Sequence, residues 1–313
     1  MIIGVDIGGM SYKFGVVDNG RIICKDSLKF DKSISSKESI VLLSKKILKL
    51  LNDNNISRNN IIGIGVGCPG AIDSVNGVCD LAYNLGFDKL PICDIISQET
   101  GFKCKLTNDA NAAALGEVVY GAAKDYQDAI MITLGTGVGG GIIINKKIYD
   151  GNQGKGAELG HSVIKVDGRR CTCGRKGCLE AYASASALIY DTKIALKNNK
   201  NSLMWKYIDD NLDNVNGKTA FECAKMGDET AEKVIKNYIK YLGEGLLNLM
   251  NEFRPQAIVI GGGLSLQKDY LINRLKEYCE QYFYGFKSCP KVELLTAELG
   301  NDAGIIGASC LML

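Results

Sequence analysis

The chain opens on a run of β-branched residues, Ile2-Ile3-Gly4-Val5-Asp6-Ile7, that stops at Gly8-Gly9. Polar positions are nearly absent from the run, a pattern that predicts a buried strand. Lys13-Phe14-Gly15-Val16-Val17 follows, then a turn at Asp18-Asn19-Gly20, then Arg21-Ile22-Ile23. The same parts recur in the same order further on. Ala129 to Leu134 predicts a strand, Gly135-Thr136-Gly137 a turn, Gly141 to Ile144 a strand, and Asn145-Lys146 a polar turn before another short strand. Two copies of one unit predict an internal duplication, its two glycine turns facing each other across a cleft.

Elsewhere the apolar period lengthens from two to three or four. Ile40, Leu43, Ile47, Leu50 and Leu51 mark one face of a helix, and Ala231, Val234, Ile235, Tyr238, Leu242, Leu246 and Leu249 outline a longer one. Ile61 to Val66 predicts a buried strand running into Gly67-Cys68-Pro69-Gly70. Asn108 to Tyr120 predicts a helix capped by Thr107 or Asn108. Gln256 to Ile260 predicts a strand ending in Gly261-Gly262-Gly263. Strands alternating with helices imply an α/β architecture. The domain switch is expected near Glu117–Tyr120, with a last helix at about Asp302–Leu311 returning to the first domain.

Composition narrows the partners. A hydrophobic content of 46%, a charged content of 23% and a net charge of +2 describe an ordinary globular chain with no default attraction to nucleic acid or an acidic membrane. The longest apolar stretch, Ala129 to Ile144, is broken by glycines and threonines and does not predict a membrane span. No basic leader with a cleavage site precedes the twelve cysteines, so reduced thiols and a cytoplasmic location are expected.

Glycine is in excess, with 37 residues against a usual share of about 7%. The glycines cluster after strands, where the missing Cβ lets backbone N–H groups converge on an anion. Gly135-Thr136-Gly137-Val138-Gly139-Gly140 matches G-x-G-x-x-G, but Ile142 to Ile144 continue as a strand, whereas the dinucleotide motif must open a helix. Gly217-Lys218-Thr219 has the tail of a Walker loop, yet Leu212 stands where its first glycine is required. The expected phosphate contacts are therefore Gly8, Gly9, Gly135, Thr136 and Gly137. Asp6 is placed to hold Mg²⁺ through water, and Lys13 could reach a phosphate.

His161 is the sole histidine, and Cys171, Cys173 and Cys178 follow it closely. Three thiolates and one imidazole can close a tetrahedral zinc site with no open position, so a structural Zn²⁺ is expected. Arg169, Arg170, Arg175 and Lys176 flank the cluster and offset its negative charge.

With these residues in hand, the chain resembles the ROK sugar kinases (repressors, open reading frames, kinases), most closely the bacterial glucokinase type. The resemblance rests on Asp6-Ile-Gly-Gly, Pro69-Gly-Ala-Ile-Asp73, Thr107-Asn-Asp-Ala-Asn-Ala-Ala-Ala-Leu-Gly-Glu117, Leu134-Gly-Thr-Gly-Val-Gly-Gly-Gly141, Glu158-Leu-Gly-His161, the cysteine cluster with Glu180, and Gly261-Gly-Gly263, in family order. It implies the actin-like ATPase (ribonuclease H-like) duplicated two-domain fold with an interdomain cleft. Residues 1–118 with about 301–313 would form the first domain, and 119–300 the second, carrying the zinc.

The resemblance further implies ATP and a hexose, glucose foremost, as substrates. Asp109 becomes the general base, and Gly70, Asn84, Asn108, Asp109, Glu158, His161 and Glu180 the sugar partners, with Gly262 and Gly263 near the adenosine. A metal-held imidazole would be fixed in tautomer and direction toward the sugar. Family members commonly form homodimers or homotetramers. Met10 departs from the family's usual Thr, and Phe87 from its frequent Trp. Other readings are an N-acetylmannosamine, N-acetylglucosamine or other hexose kinase, and a non-catalytic sugar-sensing regulator. The regulators carry a DNA-reading module ahead of the first glycine strand, and here Asp6 lies almost at the N-terminus.

Overall fold

The computed structural model describes residues 1–285 and 288–313. β1 (Ile2–Ile7), β2 (Ser11–Asp18) and β3 (Arg21–Lys29) run antiparallel in succession. α1 (Ser36–Asp53) begins with a capping box, in which Ser35 and Glu38 each accept the other's backbone N–H. It buries the predicted stripe Ile40, Leu43, Ile47, Leu50 and Leu51. β4 (Ile64–Cys68) leads into a small sheet of β5 (Ala71–Asp73), β6 (Val78–Ala82) and β7 (Phe87–Leu90). α2 (Ile92–Thr100), β8 (Cys104–Asn108) and α3 (Asp109–Val119) follow.

The first large sheet has the order β3-β2-β1-β4-β8, with β1, β4 and β8 parallel. Asp6 therefore pairs with Gly67, and Cys68 with Asn108, so three adjacent strands end side by side. The apolar run from Ile61 enters β4 only at Ile64. Ile62 and Gly63 already bond Met1 and Ile3, but a tight turn at Arg58–Asn60 delays full pairing.

The later elements are β9 (Ala129–Leu134), β10 (Val138–Ile144), β11 (Lys147–Tyr149), α4 (Glu180–Ala183), α5 (Ala185–Asn198), α6 (Leu203–Tyr207), α7 (Thr219–Lys225) and α8 (Glu229–Phe253). Then come β12 (Ala257–Gly261), α9 (Asp269–Tyr282), β13 (Glu293–Thr296) and α10 (Ala303–Ser309). The second large sheet has the order β11-β10-β9-β12-β13, the same succession of parts as the first. β10 and β11 are antiparallel, and β12 and β13 are parallel.

Two compact units result. One comprises Met1–Met131, Gly141–Ala157 and Glu298–Leu313; the other comprises Ile132–Gly140 and Glu158–Ala297. α10 belongs to the first unit, where it lies on β1, β4 and α3. Glycine makes the approach possible. A Cβ on Gly4 would strike the Ile305 carbonyl, one on Gly65 that of Ala308, and one on Gly307 that of Ala112. The helix is shorter than expected, because a tight turn at Cys310–Met312 replaces its last residues. Among the described residues, no helix is long and apolar enough to cross a membrane.

Candidate active site

In the first unit the predicted residues gather at the ends of the parallel strands. Asn108 caps α3: its side-chain oxygen accepts from Ala110 N at 2.9 Å and Asn111 N at 3.4 Å. Its Nδ2 donates to the Gly70 carbonyl at 3.4 Å, joining the loop after β4 to the head of α3. Gly70 has φ of +101°, and a Cβ there would meet the Leu81 carbonyl, so both the angle and the space require glycine. Asp109 is the first residue of α3 and half-buried, and its Oδ1 accepts from Ala110 N at 2.9 Å.

Asp6 is half-buried near the end of β1, opposite Lys13. Burial raises its carboxyl above the usual range, and the Lys13 charge opposes that rise. Gly304 leaves the space that this carboxyl occupies. Gly8 donates to the Ser11 carbonyl at 3.0 Å to close the first glycine turn. Gly9 is exposed with open space around it, and Met10 beside it is 86% exposed. Asn84 is exposed in the short turn Tyr83–Leu85. Phe87, which stands where the family frequently has Trp, is buried in the core at 1% exposure, because β7 points it inward beside Leu85 and Leu90.

In the second unit the glycine turn is fastened to α5. Gly135 N donates to Gly137 O at 3.0 Å, Ala185 N to Gly135 O at 2.8 Å, and Ser186 Oγ to Thr136 O at 2.8 Å. Gly262, with φ of +81°, lies against the Leu134 backbone at the root of that turn, and Gly263 follows in open space. The N–H of Val138 donates to Glu180 Oε2 at 3.1 Å, and a Cβ on Gly137 would collide with the same carboxylate.

Glu158 is exposed, and its carbonyl accepts from His161 N at 3.0 Å in a single tight turn. The donor atoms of His161, Cys171, Cys173 and Cys178 all lie within 4.8 Å of one another. His161 Nδ1 is 3.6 Å from Cys171 Sγ, and the sulfurs of Cys173 and Cys178 are 3.7 Å apart. The loop folds around that point by Cys171 N donating to Arg175 O at 2.8 Å and Gly174 N to Cys171 O at 3.0 Å. These four residues could hold a metal ion. Arg169 ties the loop to α5 through Asp191, with contacts of 3.0 Å and 2.5 Å.

A model of the ROK family matches residues 2–313. The chain belongs to the ROK family. A glucokinase of Halalkalibacterium halodurans is 36% identical over 317 residues, covering 99% of this chain and 94% of its own length. A xylose repressor of Caldicellulosiruptor bescii is 31% identical over 320 residues, covering 100% of this chain and 78% of its own. A solved ROK family glucokinase from Streptomyces griseus, in complex with glucose and AMPPNP, is similar with a TM-score of 0.81 at 32% identity; the match covers 99% of this chain and 98% of that one. The fold of this ROK chain is accordingly the actin-like ATPase fold, with its mixed α/β sheets repeated.

Within that ROK fold, two contributors escaped sequence reading. Thr172 Oγ1 donates to Glu180 Oε1 at 2.6 Å. The fully buried Glu117 accepts from Ala122, Glu298 and Leu299 backbone N–H groups at 2.8, 3.2 and 2.9 Å. A threonine between two cysteines carries no periodic or motif signal. Glu117 lies inside a recognised motif, but nothing in the letters ties it to residues so distant in the chain.

Proposed function

We propose that the chain is an ATP-dependent hexose kinase that transfers the γ-phosphoryl group of ATP to a hydroxyl of glucose, giving glucose 6-phosphate. The observation that carries this reading is the side-by-side ending of β1, β4 and β8, which brings Asp6, Gly70, Asn108 and Asp109 to the ends of three parallel strands. Ligands of open α/β sheets bind beyond the carboxyl ends of the strands. The similarity to glucokinases over nearly the whole length supports the same reading.

Asp109 is the proposed base. The hydroxyl oxygen forms its bond to the γ-phosphorus, the bond to the bridging β-γ oxygen breaks, ADP leaves, and the hydroxyl proton passes to the Asp109 carboxylate. Asn108, Gly70, Asn84, Glu158, His161 and Glu180 are proposed to pair the remaining sugar hydroxyls. Carboxylates accept from hydroxyls, while the amide can also donate. Gly8, Gly9, Lys13, Gly135, Thr136, Gly137, Gly262 and Gly263 are assigned to the nucleotide. Asp6 would hold Mg²⁺ through water, and the ion would neutralise charge on the phosphates.

The metal reading is zinc. A tetrahedral Zn²⁺ at about 2.3 Å from sulfur and about 2.0 Å from nitrogen sets its ligands about 3.8 Å apart for a sulfur pair and about 3.5 Å for nitrogen and sulfur. The observed 3.7 Å and 3.6 Å fit those edges. His161 would hold the metal through Nδ1, leaving Nε2 for a hydroxyl. Cytoplasmic residence and assembly into homodimers or homotetramers complete the proposal, and so does the division into RNase H-like domains at 1–118 with 301–313 and at 119–300.

The test is Asp109→Asn in a coupled assay of glucose 6-phosphate formation. kcat is expected to fall by about 10²–10⁴ while the glucose KM stays within a few-fold. Unchanged turnover would remove Asp109 from the chemistry. The likeness to a xylose repressor supports a second reading, a sugar-sensing protein without turnover. Sugar binding with no phosphoryl transfer from ATP to any of a panel of hexoses and N-acetylhexosamines would favour it.

A further inference from the structure

Glu180 opens α4, a helix of one turn, and nothing in so short an element fixes a long side chain. Its carboxylate is nonetheless held at both oxygens. Oε2 accepts from the N–H of Val138, at the end of the glycine turn, and Gly137 carries no Cβ to obstruct it. Oε1 accepts from the hydroxyl of Thr172 at 2.6 Å, the short separation of a charge-assisted bond. The sulfur of Cys171 lies 3.4 Å from the same Oε1. As a thiol that sulfur donates to Oε1, but with a metal bound it would carry no proton and could only accept, so the carboxylate oxygen would need another donor. Thr172 supplies that donor, from between two of the candidate ligands.

We infer that Thr172 is a positioning residue for hexose binding, fixing the rotation of the Glu180 carboxylate so that its remaining lone pairs meet the sugar. This rests on the reading of Glu180 as a sugar partner. The last torsion of a glutamate is broad and roughly two-fold, so a carboxylate held at one oxygen turns easily, whereas one held at both presents a fixed pair of acceptor directions. Thr172 is β-branched, and its χ1 is stiff, which keeps the hydroxyl aimed at its acceptor. The donor from Val138 belongs to the glycine turn and the donor from Thr172 to the cysteine loop, so Glu180 is aligned only when both loops are in place.

The experiment compares Thr172→Val, which keeps the shape and removes the donor, with Thr172→Ser, which keeps the donor, in the full chain with glucose as the varied substrate. Thr172→Val is expected to raise the glucose KM on the order of tenfold, with kcat and the ATP KM within about twofold. Thr172→Ser is expected to restore the glucose KM to within about twofold of the parent. Zinc content per chain and melting temperature, measured on the same preparations, should match the parent in both variants. Glu180→Gln tests the underlying reading: its glucose KM should rise, and Thr172→Val added to it should raise KM no further.

An unchanged KM in Thr172→Val beside a raised KM in Glu180→Gln would overturn the positioning role alone. Loss of zinc or early melting in Thr172→Val, with no recovery of KM in Thr172→Ser, would overturn it too, by showing a structural threonine. An unchanged KM in Glu180→Gln would remove Glu180 from the sugar and take the inference with it.

Discussion

Asp6 is held where its charge is expensive. Burial raises its carboxyl pKa, and Lys13 offsets only part of the rise. A raised value means that the folded chain binds the proton more tightly than the unfolded chain. The corresponding stability is fully present below the ordinary value of 3.8 and is lost as pH rises through the folded value. At neutral pH the ionised carboxylate therefore weighs against folding. Asp6→Asn is expected to melt a few degrees higher at pH 7, with the gain vanishing near pH 4, while kinase activity falls at least about tenfold. Calorimetry across pH, run beside the coupled assay, checks both halves; a variant that melts lower at pH 7 would contradict the reading. The letters alone placed Asp6 at a strand end beside glycines. They could not give its desolvation, which depends on how closely α10 approaches at Gly304.

At the scale of elements, the cysteine loop gathers four candidate metal ligands with little regular structure. Val163 bridges Cys178, Arg170 bridges Lys176, and Gly174 and Gly177 take positive φ of 91° and 85°, so the loop is wound by turns rather than by burial. Cys178 is buried and its thiol is pushed up to about 12 by desolvation, whereas Cys173 is exposed and lowered by the Arg175 backbone. Dialysis against a strong chelator is expected to remove one zinc per chain and to raise the glucose KM, with little change in the ATP KM. Zinc retained at full occupancy, or lost without effect on KM, would separate the metal from the sugar site.

The stripes of α1 and α8, the cap Asn108 and the four metal-ligand candidates follow from spacing and residue chemistry, and they stand where expected. The exposure of Asn84 and the burial of Phe87 could not be read from the letters. A motif fixes which residues occur, but whether a side chain faces solvent or core depends on neighbours from other strands.

For the whole molecule, the repeated strand order shows the duplication that the paired glycine turns predicted. The chain path itself was harder to see. Glu298 and Leu299 re-enter the first unit by donating to Glu117, which is fully buried and also accepts from Ala122. Pairing between residues so far apart leaves no trace in local pattern. Removing this carboxylate by Glu117→Ala strands three backbone donors, and stability is expected to drop by about 2–4 kcal/mol. Glu117→Gln, which keeps one acceptor oxygen, should fall between. Urea denaturation measures both, and a neutral Glu117→Ala would mean that water reaches those amides.

The glycine contacts of α10 also bear on how the protein is made. β1 and β4 leave the ribosome well before the helix that covers Gly4 and Gly65. The nascent first unit must therefore wait with one sheet face uncovered while the second unit, whose residues lie between, is already synthesised and free to fold. Domains generally fold as units during synthesis, the N-terminal one first. Here the sheet of the first unit is covered only after the residues of the second have been made.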